Sequence, residues 1–215
     1  MTVNIKDGVL KNRLVAVIRL DDLAHFQPLA ETLLEGGVKI LEFTLTNLDS
    51  LKAVAALRQS MPIFDTGEAI IGIGSVRSLD HTRQAMDAGA QFLVSPIMQL
   101  EMVAECQRRN ITSVCGAFSP TEIATAAAAG ADFVKVFPAD TLGPAYFKGV
   151  LAAMPELRLI PTGGVTLENL TQYLKAGCVA VGVGGALINP KMIALRDWDS
   201  LRQLALQYRE QANKP

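Results

Sequence analysis

Short runs of apolar, strand-forming residues recur along the chain and alternate with longer stretches whose apolar positions follow a helical spacing. Four of these longer stretches end on a glycine just ahead of the next apolar run, which is typical of a helix stop. The four stops are Gly36-Gly37, Gly89-Ala90, Gly130-Ala131 and Gly177-Cys178. Eight strands are therefore predicted, at residues 14–19, 39–45, 69–76, 92–96, 113–118, 133–138, 157–162 and 179–184.

The regular alternation of strand and helix predicts an α/β fold. Near-continuous apolar strands are typical of a parallel sheet that helices cover on both faces. Eight such units in 215 residues favour a single small (β/α)8 TIM barrel over residues 1–215, with a short N-terminal helix within residues 1–13. A doubly wound open sheet is the structural alternative. The sequence contains no linker or low-complexity tract, so we expect one domain.

Two local signals predict where helices begin. Asp21 and Asp22 could cap a helix that runs to Glu35. The segment Ser119-Pro120-Thr121-Glu122 has the spacing of a capping box, with proline at the first helical position. This segment needs no functional explanation.

Composition and charge narrow the class of protein. The net charge of −1 gives no reason to expect nucleic acid or an anionic membrane as a partner. We expect no membrane span and no signal peptide, because the apolar runs are short and residues 1–11 lack an apolar core. The three cysteines are odd in number and widely spaced, as expected of reduced thiols in a cytoplasmic protein. Only two histidines are present, so we expect no metal centre.

A lysine stands inside the sixth apolar run, Phe133-Val134-Lys135-Val136-Phe137. Strand side chains alternate between faces, so Lys135 shares a face with the two phenylalanines, and the valines take the other face. Burial disfavours the charged form of an amine, and a neutral amine is a nucleophile. The ordinary alternative is a strand-end lysine whose ammonium reaches water.

The second predicted strand carries a carboxylate that would point into the protein, as Lys135 would. Alternation places Glu42, Thr44 and Thr46 on the interior face of a barrel, near its mouth. A carboxylate that points into a protein is rare unless it is paired, and Lys135 is the obvious partner. The pair could be purely structural, although buried pairs contribute little stability. Because perturbed ionisable groups in clefts are more often functional, we predict that the pair is catalytic.

Two glycine pairs follow the seventh and eighth strands, in Thr162-Gly163-Gly164 and Gly184-Gly185-Ala186. Loops at these strand ends, with a helix N-terminus behind them, form the usual phosphate site of such barrels. Glycine lets backbone N–H groups approach an anion closely. Either pair alone fits a tight turn, but together they favour a phosphate site.

Six segments, in this order and spacing, resemble the 2-keto-3-deoxy-6-phosphogluconate (KDPG) / 4-hydroxy-2-oxoglutarate (KHG) aldolase family. Its members are class I aldolases on a small (β/α)8 barrel, and the resemblance runs from about the first strand to the eighth. The segments are Gly-Gly-Val-Lys-Ile-Leu-Glu-Phe-Thr-Leu (36–45), Ile-Gly-Ile-Gly-Ser-Val (71–76), Ser95-Pro96, Val-Lys-Val-Phe-Pro-Ala (134–139), Pro-Thr-Gly-Gly-Val (161–165) and Gly184-Gly185.

The resemblance implies a function and a role for each site residue. Lys135 would form a Schiff base with a 2-keto acid, and Glu42 would act as the acid and base. The products would be pyruvate and an aldehyde, either glyceraldehyde 3-phosphate or glyoxylate, without a cofactor or metal. The family is typically homotrimeric. The pyruvate end would be lined by Ser75, Ser95, Pro96 and Phe137, and the distal end by Thr162, Gly163, Gly164, Gly184 and Gly185.

Two positions depart from the family pattern and affect the expected substrate. Thr46 stands where many members have an arginine that holds the substrate carboxylate. Ala186 stands where many have a serine whose hydroxyl reaches phosphate. A galactonate-branch aldolase of the family also lacks the second-strand arginine and has one on the first strand, which resembles Arg19 here. We therefore expect Arg19, beside Thr44 and Thr46, to bind the substrate carboxylate.

Two other functions remain open from the sequence. A phosphosugar isomerase or epimerase on the same barrel would use a base without an essential imine. A non-enzymatic barrel that binds a phosphorylated effector would need Lys135 to be unreactive.

Overall fold

Eight parallel strands form one sheet in the computed structural model, which describes residues 4–214. Residues 1–3 of the predicted leading segment, and Pro215, lie outside the described residues. The strands are β1 (Leu14–Ile18), β2 (Ile40–Thr44), β3 (Ile70–Gly74), β4 (Phe92–Val94), β5 (Thr112–Ala117), β6 (Phe133–Val136), β7 (Leu159–Pro161) and β8 (Val181–Val183).

Helices lie between the strands and at both ends of the described chain. The first, α1 (Ile5–Asn12), precedes β1, as the sequence predicted. The others are α2 (Phe26–Glu35), α3 (Asp49–Ser60), α4 (Ile63–Thr66), α5 (Leu79–Asp87), α6 (Leu100–Arg109), α7 (Pro120–Ala128), α8 (Gly143–Ala153), α9 (Leu170–Lys175), α10 (Pro190–Ala194) and α11 (Trp198–Ala212).

The strand order is that of a barrel. Each strand pairs with the next one along the chain, and β1 also pairs with β8. A parallel bridge between Thr162 and Gly182 joins the ends of β7 and β8, so the barrel is nearly closed. The predicted (β/α)8 fold is confirmed. The doubly wound alternative is wrong, because its strand order would reverse in the middle of an open sheet.

Alternation along the strands divides the buried residues into two clusters. Val134 and Val136 belong to the cluster between the sheet and the helices, whereas Phe133 belongs to the cluster inside the barrel. The predicted faces of β6 are therefore confirmed. Val9 of α1 also joins the interior cluster, so this helix packs against residues inside the barrel.

The helix signals are confirmed at most positions and wrong at one. Ser119 and Glu122 form the predicted capping box, with proline at the first turn of α7. The four predicted helix stops each contain a glycine in the left-handed region, with φ of 80°, 84°, 86° and 102° at Gly37, Gly89, Gly130 and Gly177. Asp22 does not cap α2, which begins only at Phe26. Its carboxylate instead accepts a hydrogen bond from Ala24 N–H at 2.8 Å and closes a local turn.

Candidate active site

A cleft of about 380 Å³ lies at the carboxyl ends of the strands. Observed strands end one or two residues earlier than predicted, so the residues that follow them form the wall of the cleft. Most of the predicted site residues line it: Arg19, Thr44, Ser75, Pro96, Lys135, Phe137, Thr162, Gly163, Gly164, Gly184 and Gly185. Glu42, Thr46 and Ser95 do not line this cleft, and each has a different environment.

Lys135 lies at the base of the cleft on β6. Its side chain is 8% exposed, and its Nζ lies 5.5 Å from the centroid of the Phe137 ring. The ring is itself partly exposed at the cleft wall. On the cleft side the amine can be reached by a small molecule, and on the barrel side it borders a cavity lined mainly by apolar groups and by Glu42.

Glu42 lies beneath the cleft, opposite Lys135. Its Oε1 is 3.7 Å from Lys135 Nζ, which is longer than a hydrogen bond, and within residues 4–214 this buried oxygen has no hydrogen-bond partner. Burial raises the pKa of the Glu42 carboxyl, and the positive charge of Lys135 offsets only part of that rise. A carboxyl group of this kind exchanges a proton closer to neutral pH than an exposed one does. Both side chains also border a small interior cavity of about 10 Å³ that includes Thr162.

The hydroxyls of Thr44 and Thr46 form a short chain. Thr44 Oγ1 lies 3.2 Å from the carbonyl oxygen of Ile18 and 2.8 Å from Thr46 Oγ1. Because a carbonyl can only accept, Thr44 donates to Ile18 and Thr46 donates to Thr44. The exposed Thr46 hydroxyl therefore has no proton left to donate to a carboxylate.

Ser95 stabilises the wall of the cleft from behind. It is fully buried, and its hydroxyl accepts a hydrogen bond from the Gly116 N–H at 3.0 Å. A side chain at Gly116 would meet the backbone of Ser95, Pro96 and Ile97 at 2.5–2.7 Å. The close approach of the β4 and β5 ends thus orients Pro96 toward the cleft, while the serine hydroxyl is used by the backbone.

Ser75 follows β3 in a left-handed conformation, with φ of 61°. A non-glycine residue in this region is disfavoured by about 1–2 kcal/mol. Such conformations persist where the surrounding structure fixes them, and they cluster at functional sites. Ser75 lines the cleft.

The distal end of the cleft is formed by the two glycine pairs and by residues that the sequence did not single out. Gly163 and Gly164 have φ of 92° and 69°, and Asn169 holds their loop through hydrogen bonds with Gly164 and Thr166 at 2.8 Å. Helical turns follow both pairs: Leu170 N–H donates to the Thr166 carbonyl at 3.0 Å ahead of α9, and Ile188 N–H donates to the Gly184 carbonyl at 2.8 Å ahead of α10. The additional lining residues are Val17, Val165, Thr166, Ile188 and Pro190. Of these, Val17 could have been found from the sequence, because strand alternation places it on the same face as Arg19, two positions later.

The charge of the cleft is positive. Arg19 and Lys135 are the two charged side chains among the described residues that line it. Arg19 is exposed, and no carboxylate of the described chain lies within ion-pair distance of it. A cleft with two cations and no lining carboxylate favours an anionic ligand.

Across residues 4–214, no group of three or more His, Cys, Asp and Glu side chains is arranged to hold a metal ion. The same range contains no helix with the length and apolarity needed to cross a membrane.

Proteins of known family match this chain over nearly its full length. The aldolase of Treponema pallidum named 2-dehydro-3-deoxy-phosphogluconate aldolase is 32% identical over 206 residues, which is 95% of this chain and 96% of that protein. The protein of the same name from Pseudomonas aeruginosa is 34% identical over 195 residues, covering 90% and 86% of the two chains.

A solved structure agrees with these matches. The KDPG aldolase of Legionella pneumophila, with pyruvate captured at low pH as a covalent carbinolamine intermediate, superposes with a TM-score of 0.84. It is 27% identical, and the match covers 94% of this chain and 97% of that one. The family model described as "Aldolase: KDPG and KHG aldolase" matches residues 5–204. The chain therefore belongs to the KDPG and KHG aldolase family.

Proposed function

We propose that this protein cleaves a 2-keto-3-deoxy-6-phospho sugar acid, 4-hydroxy-2-oxoglutarate or both by class I chemistry, giving pyruvate and an aldehyde. The observation that carries the proposal is the buried pair of Lys135 and Glu42, 3.7 Å apart at the base of a cationic cleft. The amine supplies the nucleophile and the carboxyl group supplies proton transfer. The positive cleft favours the anionic keto acid.

The burial of the pair supports the first steps of this mechanism. Burial raises the pKa of the Glu42 carboxyl, so Glu42 accepts a proton from its neighbour Lys135 more readily than an exposed carboxylate would. The neutral amine attacks C2 of the keto acid to form a carbinolamine. Glu42 then gives its proton to the departing hydroxyl group, so that water leaves, the iminium forms and Glu42 is a carboxylate again.

Cleavage then needs a base and an electron sink. Glu42, acting through a bound water molecule, takes the proton of the C4 hydroxyl as the C3–C4 bond breaks. The bonding electrons move to the iminium, which becomes an enamine, and the aldehyde leaves. Protonation of the enamine at C3 and hydrolysis of the new iminium release pyruvate and restore the Lys135 amine.

The substrate carboxylate is assigned to Arg19. Thr46 has no proton to donate, because its hydroxyl donates to Thr44. The Arg19 guanidinium lines the same cleft and can bind a carboxylate through two parallel hydrogen bonds. Ser75, Pro96 and Phe137 then border the pyruvate half.

The distal group is assigned to the side of the cleft formed by Gly163, Gly164, Gly184 and Gly185. Glycine permits close approach of backbone N–H groups to an anion. Ala186 adds no hydroxyl to this side of the cleft. We infer that phosphate is accepted here but weakly preferred.

The cysteines support a cytoplasmic location. Cys106, Cys115 and Cys178 are all free and buried. Burial raises the pKa of the Cys106 and Cys178 thiols to about 12, which keeps them protonated and unreactive. Unpaired thiols of this kind are typical of a reducing compartment.

A patch of exposed apolar residues beside the cleft supports assembly into a homotrimer. Ile97, Met98 and Leu100 lie after β4, and Phe118 lies after the neighbouring β5; each is at least 37% exposed. Grouped apolar residues at a surface mark an interaction site more often than scattered ones do. We assign this β4–β5 patch to contacts with two further copies of the chain.

Our first prediction is that pyruvate and sodium borohydride will leave a reduced, covalent adduct on Lys135. Intact mass and peptide mapping should locate it there, and Lys135→Met should remove it. Lys39, whose Nζ donates to the Leu34 carbonyl, and Lys148 serve as internal controls. No adduct, or an adduct only on another lysine, would contradict the mechanism and favour an isomerase or epimerase.

For Glu42→Gln, we expect kcat to fall by about 10²–10⁴, the usual contribution of general acid–base catalysis, while borohydride trapping with pyruvate persists. The pKa of Glu42 is raised above 4.5. As the pH falls, kcat/KM of the wild type should therefore begin to decline at a higher pH than the one at which an exposed carboxylate takes up its proton. That acid limb should be absent from the variant. A kcat within a few-fold of wild type would show that Glu42 is only structural.

Restoring a hydroxyl at the distal end should increase the preference for phosphate. A hydrogen bond to a charged group contributes about 1.5–3 kcal/mol, so Ala186→Ser should raise kcat/KM for the 6-phosphorylated substrate about ten- to a hundred-fold relative to 4-hydroxy-2-oxoglutarate. Ala186→Val adds bulk without a hydroxyl and should not. If the ratio is unchanged in Ala186→Ser, other contacts bind the distal group.

The trimer is tested by placing a charge in the β4–β5 patch. Ile97→Asp should convert the trimer to monomers in sedimentation-velocity runs, because an unpaired carboxylate cannot be buried there without a large cost. Leu195→Asp changes an exposed apolar residue outside the patch and should leave the trimer intact. A wild-type monomer, or equal effects of the two substitutions, would refute the assignment.

A further inference from the structure

The position of the Glu42 carboxyl group is not fixed by hydrogen bonds to Oε1. This oxygen is buried, has no hydrogen-bond partner within the described chain, and lies 3.7 Å from Lys135 Nζ. Attraction to Lys135 draws this oxygen toward the amine, and the atoms packed around it set how closely it can approach. The residues that enclose it therefore decide how far it stands from the amine.

One wall of that enclosure is Gly74. β3 pairs with β2, and Gly74 is the partner of Thr44, two positions beyond Glu42. A Cβ atom at position 74 would overlap Glu42 Oε1 and would lie 2.6 Å from its Cδ and 2.8 Å from its Cγ. The carboxyl group occupies the space that any other residue at position 74 would fill.

Backbone conformation does not explain this glycine. Gly74 lies within β3 and outside the left-handed region that favours glycine. An alanine could adopt the same backbone. The requirement for glycine at this position comes from the carboxyl group packed against it.

We propose that Gly74 is a positioning residue that sets the distance between the Glu42 carboxyl group and the Lys135 amine. This inference rests on the proposed aldolase function, in which these two groups exchange protons. A methyl group at position 74 displaces the carboxyl group from the position in which it packs against β3. Misplacement of a catalytic group by about 1 Å can cost about 10²-fold in rate.

Gly74→Ala is suited to the test because the atoms that it meets belong to a flexible side chain. Glu42 can rotate away, so the barrel should fold with nearly unchanged stability. A control is available in the helical layer outside the barrel. Gly36 follows α2 with φ of −71°, and a Cβ there would overlap Ala205 Cβ and lie 3.0 Å from the Arg202 carbonyl oxygen, both in α11.

The two substitutions should separate stability from catalysis. Gly74→Ala should keep a melting temperature near that of wild type, form the borohydride-trapped pyruvate adduct, and lower kcat about 10–100-fold with little change in KM. Its acid limb in the pH profile should shift, because the distance between Glu42 and Lys135 has changed. Gly36→Ala should lower the melting temperature, while kcat per trapped active site stays within a few-fold of wild type.

A double-mutant cycle tests whether the substitution at position 74 lowers kcat through Glu42. If Gly74 acts through Glu42, Gly74→Ala should have almost no further effect on kcat in a Glu42→Gln background. An equal loss of rate in both backgrounds, or a wild-type kcat and pH profile for Gly74→Ala, would overturn the proposal. Absence of the pyruvate adduct from wild type would instead refute the aldolase function itself.

A second variant covers the case in which Gly74→Ala does not fold. Glu42→Ala removes the carboxyl group that the new methyl meets, so the double variant Glu42→Ala/Gly74→Ala should fold as well as Glu42→Ala alone. Circular dichroism and urea denaturation measure this recovery. Failure of the double variant to recover would show that the conflict at position 74 is not with Glu42, and would overturn the proposal.

Discussion

The burial of a lysine and a glutamate on facing sides of one barrel is the constraint on which this site depends. Each charge alone would be costly in the apolar interior, and removing either partner would leave the other uncompensated. The separation of 3.7 Å attracts the two groups without joining them by a hydrogen bond. Within residues 4–214, Glu42 Oε1 has no hydrogen-bond partner, so packing and attraction to Lys135 hold it in place.

The fold supplies this arrangement through the geometry of parallel strands. β2 and β6 are separated by three strands in the sheet, yet barrel curvature turns both toward the same interior. The carboxyl ends of all eight strands open at one mouth, where the loops bring Arg19, Ser75 and the glycine pairs around the lysine. Helices on the outside bury the opposite face of each strand and keep the sheet rigid.

The cleft has two parts: the buried pair of Lys135 and Glu42 at its base, and the wall of residues above that pair. The charged groups that line it are cationic, which suits a keto acid, and the wall residues are small at positions 163, 164, 184, 185 and 186. The hydroxyl chain from Thr46 to Thr44 to Ile18 leaves Thr46 without a proton to donate, whereas the Arg19 guanidinium is exposed at the cleft. In the proposed function, the reaction type depends on the buried pair and the choice of substrate depends on the residues of the cleft wall.

Local chemistry in the sequence was sufficient for the elements and for the faces of the strands. Alternation placed Lys135 and Glu42 inside, glycines ended four helices, and the Ser119 capping box began α7, because each of these depends on residues close in sequence. Tertiary structure alone decided the rest. The start of α2, the use of the Ser95 hydroxyl by Gly116, and the space at Gly74 that receives Glu42 all arise from atoms on different segments, whose distances no local pattern contains.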